Sequence, residues 1–259
     1  LKANEENKTQ LLTFGGAFSN HIAAVAYAGK KNNFETIGII RGDELESQIY
    51  ENPTLLFAQE CGMKFHFVTR EEYKDKTTAL FIEKFTNIYG DFYLIPEGGA
   101  NSLAVKGCEE ILTEEDSQYS HICCSIGTGG TITGTGRFLK EKNPAIKVFG
   151  VEPAASPILN GGAPGPHPLQ GIGPNFIPNI LDRTVYDEVL DATAEDAMKY
   201  ARRAAAEEGI LAGISSGATL WAATEIAKRP EFAGKNIVVI CASNGERYLS
   251  TVLYEDLVD

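Results

Sequence analysis

The chain has 259 residues, 43% of them hydrophobic and 22% charged, with a formal net charge of −12. That balance is ordinary for a globular protein of one large or two modest domains. It argues against a broad surface for the phosphate backbone of nucleic acid, which needs clustered Lys and Arg. No apolar stretch approaches the roughly 20 residues of a membrane span, and the polar start LKANEENKTQ lacks a signal-peptide core. Five cysteines without CxxC spacing point to a reducing, cytoplasmic setting. The four histidines are scattered and predict no metal site.

Strand and helix signals alternate along the chain, the pattern of α/β layers. Leu11 to Phe14 reads as a buried strand, and His21 to Lys31 as an alanine-rich helix. Thr36 to Ile40 is the next strand, followed by a helix over Asn52 to Glu60 and a strand over Lys64 to Val68. Thr77 to Tyr89 reads as helix and Phe92 to Ile95 as strand, closed by the turn Pro96-Glu97-Gly98-Gly99. Next come an apolar run from His121 to Ile126, a helix over Ile132 to Lys142 and a strand over Val148 to Val151. Residues 160–178, rich in glycine and proline, form a long loop, a feature that is functional or disordered in compact domains. Thr193 caps a helix that ends at Gly209. The turn Gly213 to Gly217 precedes a helix over Ala218 to Lys228, and Asn236 to Cys241 is the last strand. Cys123 and Cys124, adjacent on a strand, should face opposite ways.

The stretch Ser125 to Gly136, SIGTGGTITGTG, carries the most chemistry. Strand, glycine loop and helix in that order form an anion cradle. Glycines let the backbone approach a phosphate, N–H groups at the helix start point at it, and the Thr128 and Thr131 hydroxyls add donors. A dinucleotide fingerprint from Gly127 needs glycine where Ile132 stands, and a P-loop from Gly129 needs lysine where Thr135 stands. A kinase or dehydrogenase is therefore disfavoured. Three polar loops, Gly15 to Asn20, Gly127 to Thr131 and Ala242 to Gly245, follow predicted strands, where open α/β sheets bind ligands.

At these residues the chain resembles the fold-type II pyridoxal-phosphate (PLP) enzymes, the tryptophan synthase β-like group. Residues 11–125 resemble the branch of D-cysteine desulfhydrase and 1-aminocyclopropane-1-carboxylate deaminase, through TFGGAFSNHIAAVA, IIRGDE, ENPTLLFA and LIPEGGANSLAVKGCEEI. Residues 127–259 resemble O-acetylserine sulfhydrylase, or cysteine synthase, through GTGGTITGTGRFLKEKNP, FGVEP, GPHPLQGIGPNFIP, EEGILAGISSGA and NGERYLSTVLY. The chain thus reads as a hybrid of two branches, engineered or naturally recombined. The resemblance implies two three-layer α/β domains: a smaller one over 1–101 with the asparagine loop, and a larger one over 102–259 with the phosphate loop.

By that resemblance Gly127, Thr128, Gly129, Gly130 and Thr131 hold the PLP phosphate, Asn20 bonds the ring hydroxyl, and Ser243 faces the pyridine nitrogen. Ser19 and His21 sit where the family binds the substrate carboxylate, and Gly171, with Ile172 and Gly173, sits near the substrate; Ser19-Asn20 also fits a plain helix cap, and a cap and a ligand site can coincide. The lysine that carries the cofactor lies well upstream of the asparagine loop in both branches, which places it before Leu1; no lysine here has its motif. Phe18 departs from the glutamine usual before the serine in the desulfhydrase branch. The implied activity is β-elimination or β-replacement on a small amino acid, O-acetylserine plus sulfide to cysteine. The alternatives are a desulfhydrase- or deaminase-like lyase and a PLP-binding scaffold without turnover. A homodimer is implied, with no nucleic-acid or membrane partner. Cysteine synthases also dock serine acetyltransferase, but no motif here identifies that surface.

Overall fold

The structure is a computed structural model that describes residues 1–257. The chain divides into two compact units, one spanning Leu1–Gly99 and the other starting at Ala100.

The first unit runs α1 (Lys2–Glu5), β1 (Gln10–Gly16), α2 (Asn20–Lys31), β2 (Glu35–Arg41), α3 (Pro53–Glu60), β3 (Lys64–Val68), α4 (Ala79–Tyr89) and β4 (Tyr93–Ile95). Its four strands form one parallel sheet in the order β3-β2-β1-β4. The central strands β1 and β2 are buried on both faces, so they read as unbroken apolar runs without alternation. On one face Leu12, Phe14, Ile37 and Ile39 pack with Phe81 and Phe85 of α4. On the other, Ile40 packs with Ile22, Val25 and Ala26 of α2 and with Leu55 and Ala58 of α3. Side-chain caps set the helix starts: Ser19 for α2, Asn52 for α3 and Thr78 for α4 each accept an N–H from the first turn.

The second unit contains α5 (Ser102–Glu109), β5 (His121–Ser125), α6 (Gly130–Lys142), β6 (Lys147–Pro153), β7 (Glu188–Ala192), α7 (Ala194–Glu208), α8 (Ile214–Ala227) and β8 (Ile237–Val239). Its sheet is also parallel, in the order β7-β6-β5-β8. Cys123 of β5 lies in the core shared with α7 and α8, and Cys124 in the core shared with α6, so the pair does face opposite ways. The helices cover both faces, which makes each unit three layers deep. These are the α/β layers expected of the tryptophan synthase β-like class.

Several boundaries differ from those read in the sequence. Helix α8 starts at Ile214, so Ser215 and Ser216 lie in its first turn and not in a preceding loop. Strand β7 and helix α5 were not anticipated from the sequence pattern. Between β6 and β7, residues 154–187 hold no helix or strand, and this segment includes the predicted long loop.

Candidate functional site

Strand β5 delivers the chain to the glycine loop. The Ile126 N–H still pairs with Val151 O of β6 at 2.9 Å, after which the backbone leaves the sheet. Gly129 turns it with φ +88°, the left-handed region that favours glycine, and acts as the N-cap of α6 without any side-chain cap. The first ladder bond of α6 is Thr133 N–H to Gly129 O at 3.1 Å. The N–H groups of Gly130, Thr131 and Ile132 thus precede the ladder, at the positive end of a 13-residue helix.

The long segment after β6 backs this loop. A Cβ on Gly127 would overlap Gly171 O, and a Cβ on Gly129 would come within 2.7 Å of Leu181 Cβ. The Gly173 N–H donates to Ile126 O at 3.0 Å, and His167 Nε2 lies 2.8 Å from Gly173 O. Thr133 on α6 receives the Asp182 N–H at 3.0 Å and donates to Ile180 O at 3.3 Å. Glu152, buried at the end of β6, accepts the N–H groups of Leu159 and Asn160 at 2.9 and 3.0 Å; burial pushes its carboxyl upward. Sequence reading missed Glu152, although a lone acid ending the apolar run VFGVEP before a long loop was its signal.

Ser243 follows β8, which pairs in parallel with β5, so both loops leave the same end of the sheet. The Ser243 carbonyl accepts from the Gly213 N–H at 3.0 Å and from Ser216 Oγ at 3.3 Å. Ala212 and Asn244 form a bridge beside it. Ser243 Oγ is buried and has no hydrogen-bond partner among the described residues. A buried hydroxyl left unpaired costs about 1–3 kcal/mol, so it asks for a ligand atom or another reason to persist.

The remaining predicted residues lie in the first unit, at the end of β1. Ser19 is indeed the cap of α2, its Oγ accepting the Ile22 N–H at 3.3 Å, which leaves the hydroxyl proton able to donate. Asn20 is the first residue of α2. His21 Nε2 lies 2.7 Å from Thr13 Oγ1, and burial pushes the imidazole down to about 4 against an opposing pull from Glu97. Thus Gly127 to Thr131, Gly171 and Ser243 are grouped in one unit, while Ser19, Asn20 and His21 are grouped in the other.

A glycine cradle at an uncapped helix start, in the same unit as a buried, unpartnered hydroxyl that follows the neighbouring strand, suits a phosphorylated ring cofactor. The chain belongs to the pyridoxal-phosphate dependent enzyme family, whose model matches residues 1–243. It is 41% identical over 185 residues to cysteine synthase 3 of Caenorhabditis elegans, covering 71% of this chain and 55% of that protein. It is 53% identical over 148 residues to a cysteine synthase of Staphylococcus aureus, covering 57% of this chain and 47% of that one. The chain therefore spans about half the length of these curated relatives. The crystal structure of cysteine synthase from Entamoeba histolytica superposes over 100% of this chain and 76% of its own, with a TM-score of 0.81 and 28% identity.

The residues present fit PLP. The phosphate dianion suits the α6 N-terminus, and the buried Ser243 Oγ carries a hydroxyl that no described residue engages.

Proposed function

We propose that the second unit holds PLP and that the protein catalyses β-replacement on a small amino acid in the manner of a cysteine synthase. The observation that carries this is the unpartnered buried hydroxyl of Ser243, in the loop after β8, together with the uncapped start of α6 after the neighbouring strand β5. When bound, PLP supplies an electron sink for the charge left when a substrate Cα proton is removed.

The chain's own residues set how strong that sink is. The N–H groups at the start of α6, with the hydroxyls of Thr128 and Thr131, anchor the phosphate. Ser243 offers a hydroxyl where a carboxylate would hold a pyridine nitrogen protonated. A neutral ring nitrogen makes a gentler sink, suited to loss and replacement at Cβ. In the first unit, the N–H groups at the start of α2 and the Ser19 hydroxyl, whose proton is free to donate, suit a carboxylate. Gly171, through its contact with Gly127, ties the substrate-side loop to the phosphate loop.

A second reading, a lyase like D-cysteine desulfhydrase or 1-aminocyclopropane-1-carboxylate deaminase, is supported by the Ser19-Asn20-His21 sequence at the start of α2. Assaying the full-length PLP-loaded protein with O-acetylserine plus sulfide, and separately with D-cysteine, decides between them. Cysteine formation supports the first reading, and pyruvate from D-cysteine alone supports the second. A protein that binds no PLP under either condition refutes both. Homodimer formation and a cytoplasmic location accompany this proposal.

A further inference from the structure

The proton inventory at Thr13 determines what the His21 ring can recognise. Thr13 is fully buried on β1, and its hydroxyl has one proton. Thr13 Oγ1 lies 2.8 Å from Ile95 O of β4. A carbonyl oxygen only accepts, so Thr13 gives its proton there. The same Oγ1 lies 2.7 Å from His21 Nε2 and, its proton already committed, can only accept from it. Nε2 therefore carries the imidazole hydrogen, and in the neutral ring Nδ1 is a bare lone pair. Burial keeps the ring neutral at ordinary pH. Among the described residues, the charged group acting on it is Glu97, which already accepts from Tyr73 Oη at 2.9 Å and pairs with Lys76 at 3.3 Å.

A bare lone pair repels a carboxylate. The expectation that His21 binds the substrate carboxylate can then hold only for its backbone N–H, in the first turn of α2, and not for its side chain. We propose that the His21 ring is a hydrogen-bond acceptor for a proton-bearing group on Cβ of the bound amino acid, a thiol or a hydroxyl. Thr13 is then a positioning residue that locks the tautomer. This rests on the reading of the Ser19 to His21 loop as facing an amino-acid substrate. It refines that reading, since an amino acid would be gripped by opposite polarities: N–H donors for its carboxylate and an acceptor for its proton-bearing side.

The test is nitrogen NMR of the full-length, PLP-loaded protein labelled at histidine. The free protein should show His21 as the Nε2–H tautomer. Saturating cysteine or serine, which carry a thiol or a hydroxyl on Cβ, should move the Nδ1 resonance toward its hydrogen-bonded value, whereas alanine, which carries neither, should leave it in place. Thr13→Val should mix the tautomers and, by halving the competent fraction at equal populations, raise KM for the amino acid about twofold. Thr13→Ser should restore both. An Nδ1–H tautomer overturns the proposal. So does an Nδ1 resonance that stays put while the cofactor absorbance responds to cysteine or serine, a result that leaves the substrate-loop reading standing. A cofactor absorbance deaf to every amino acid overturns that reading and the proposal together.

Discussion

Ser243 faces opposite demands with and without cofactor. Without it, a buried hydroxyl lacks a partner among the described residues, a penalty of about 1–3 kcal/mol. Removing that hydroxyl should therefore not destabilise the cofactor-free protein. We expect Ser243→Ala to leave the urea midpoint unchanged or higher while weakening PLP binding about fivefold, the value of about one neutral hydrogen bond. Parallel urea melts and PLP titrations check this; a variant that is less stable and binds PLP normally would make Ser243 a purely structural turn residue. Gly213 shares this logic, because a Cβ there would overlap Ser243 Oγ.

At the scale of elements, the loop behind the cradle is held by small polar anchors. Asp182 is one: the hydrogen bonds of Thr184, and then of Arg137, hold its carboxyl down at about 2, below the usual 3.8. A lowered carboxyl binds protons less readily when folded than when unfolded. Its stabilisation is complete above 3.8 and is lost as pH falls toward 2. Acid unfolding followed by circular dichroism should show that added loss between pH 3.8 and 2 in the wild type, and less of it in Asp182→Asn. Helices α7 and α8 pack closely enough that a Cβ on Gly217 would overlap Ala197 O. Gly217→Ala should cost about 1–3 kcal/mol, as overpacking does, and a urea melt that shows no loss would rule out that close approach.

Those same elements show what could be read ahead of the structure. Ser19 and Thr193 sit directly before helices and cap them, so those starts were legible from local chemistry, whereas the caps Asn52 and Thr78 were read as part of their helices. The start of α8 was not. Its Gly, Ser and Thr residues look like a turn, but Ser215, Ser216 and Thr219 are buried, and Thr219 Oγ1 donates back to Ser215 O at 2.9 Å. A helix buried nearly all round has no polar face to mark its period. Strand β7 mixes Glu188 and Asp191 into five residues at a sheet edge, which hides the apolar run. Of the site, the glycine cradle was legible because strand, glycines and helix are contiguous. The supports were harder to read: no local pattern marks the partners of Ser216 and Thr13, and Glu152 gave only a lone acid after an apolar run.

For the whole molecule, a net charge of −12 means that an anionic cofactor is bound against the average field. Under the proposal, backbone N–H groups and a helix end do this locally, without clustered Lys or Arg. Affinity for PLP should therefore vary only weakly with salt, unlike binding built on released counterions, and titrations across a tenfold range of sodium chloride check it. The most direct measurement of the central claim is phosphorus NMR of PLP added to the full-length protein and to its Gly127→Ala variant. The cradle predicts a shifted, broadened phosphate line with the wild type that reverts to the free position with the variant, because the added methyl would collide with Gly171 O. An identical bound line in both proteins would place the phosphate elsewhere and contradict the account.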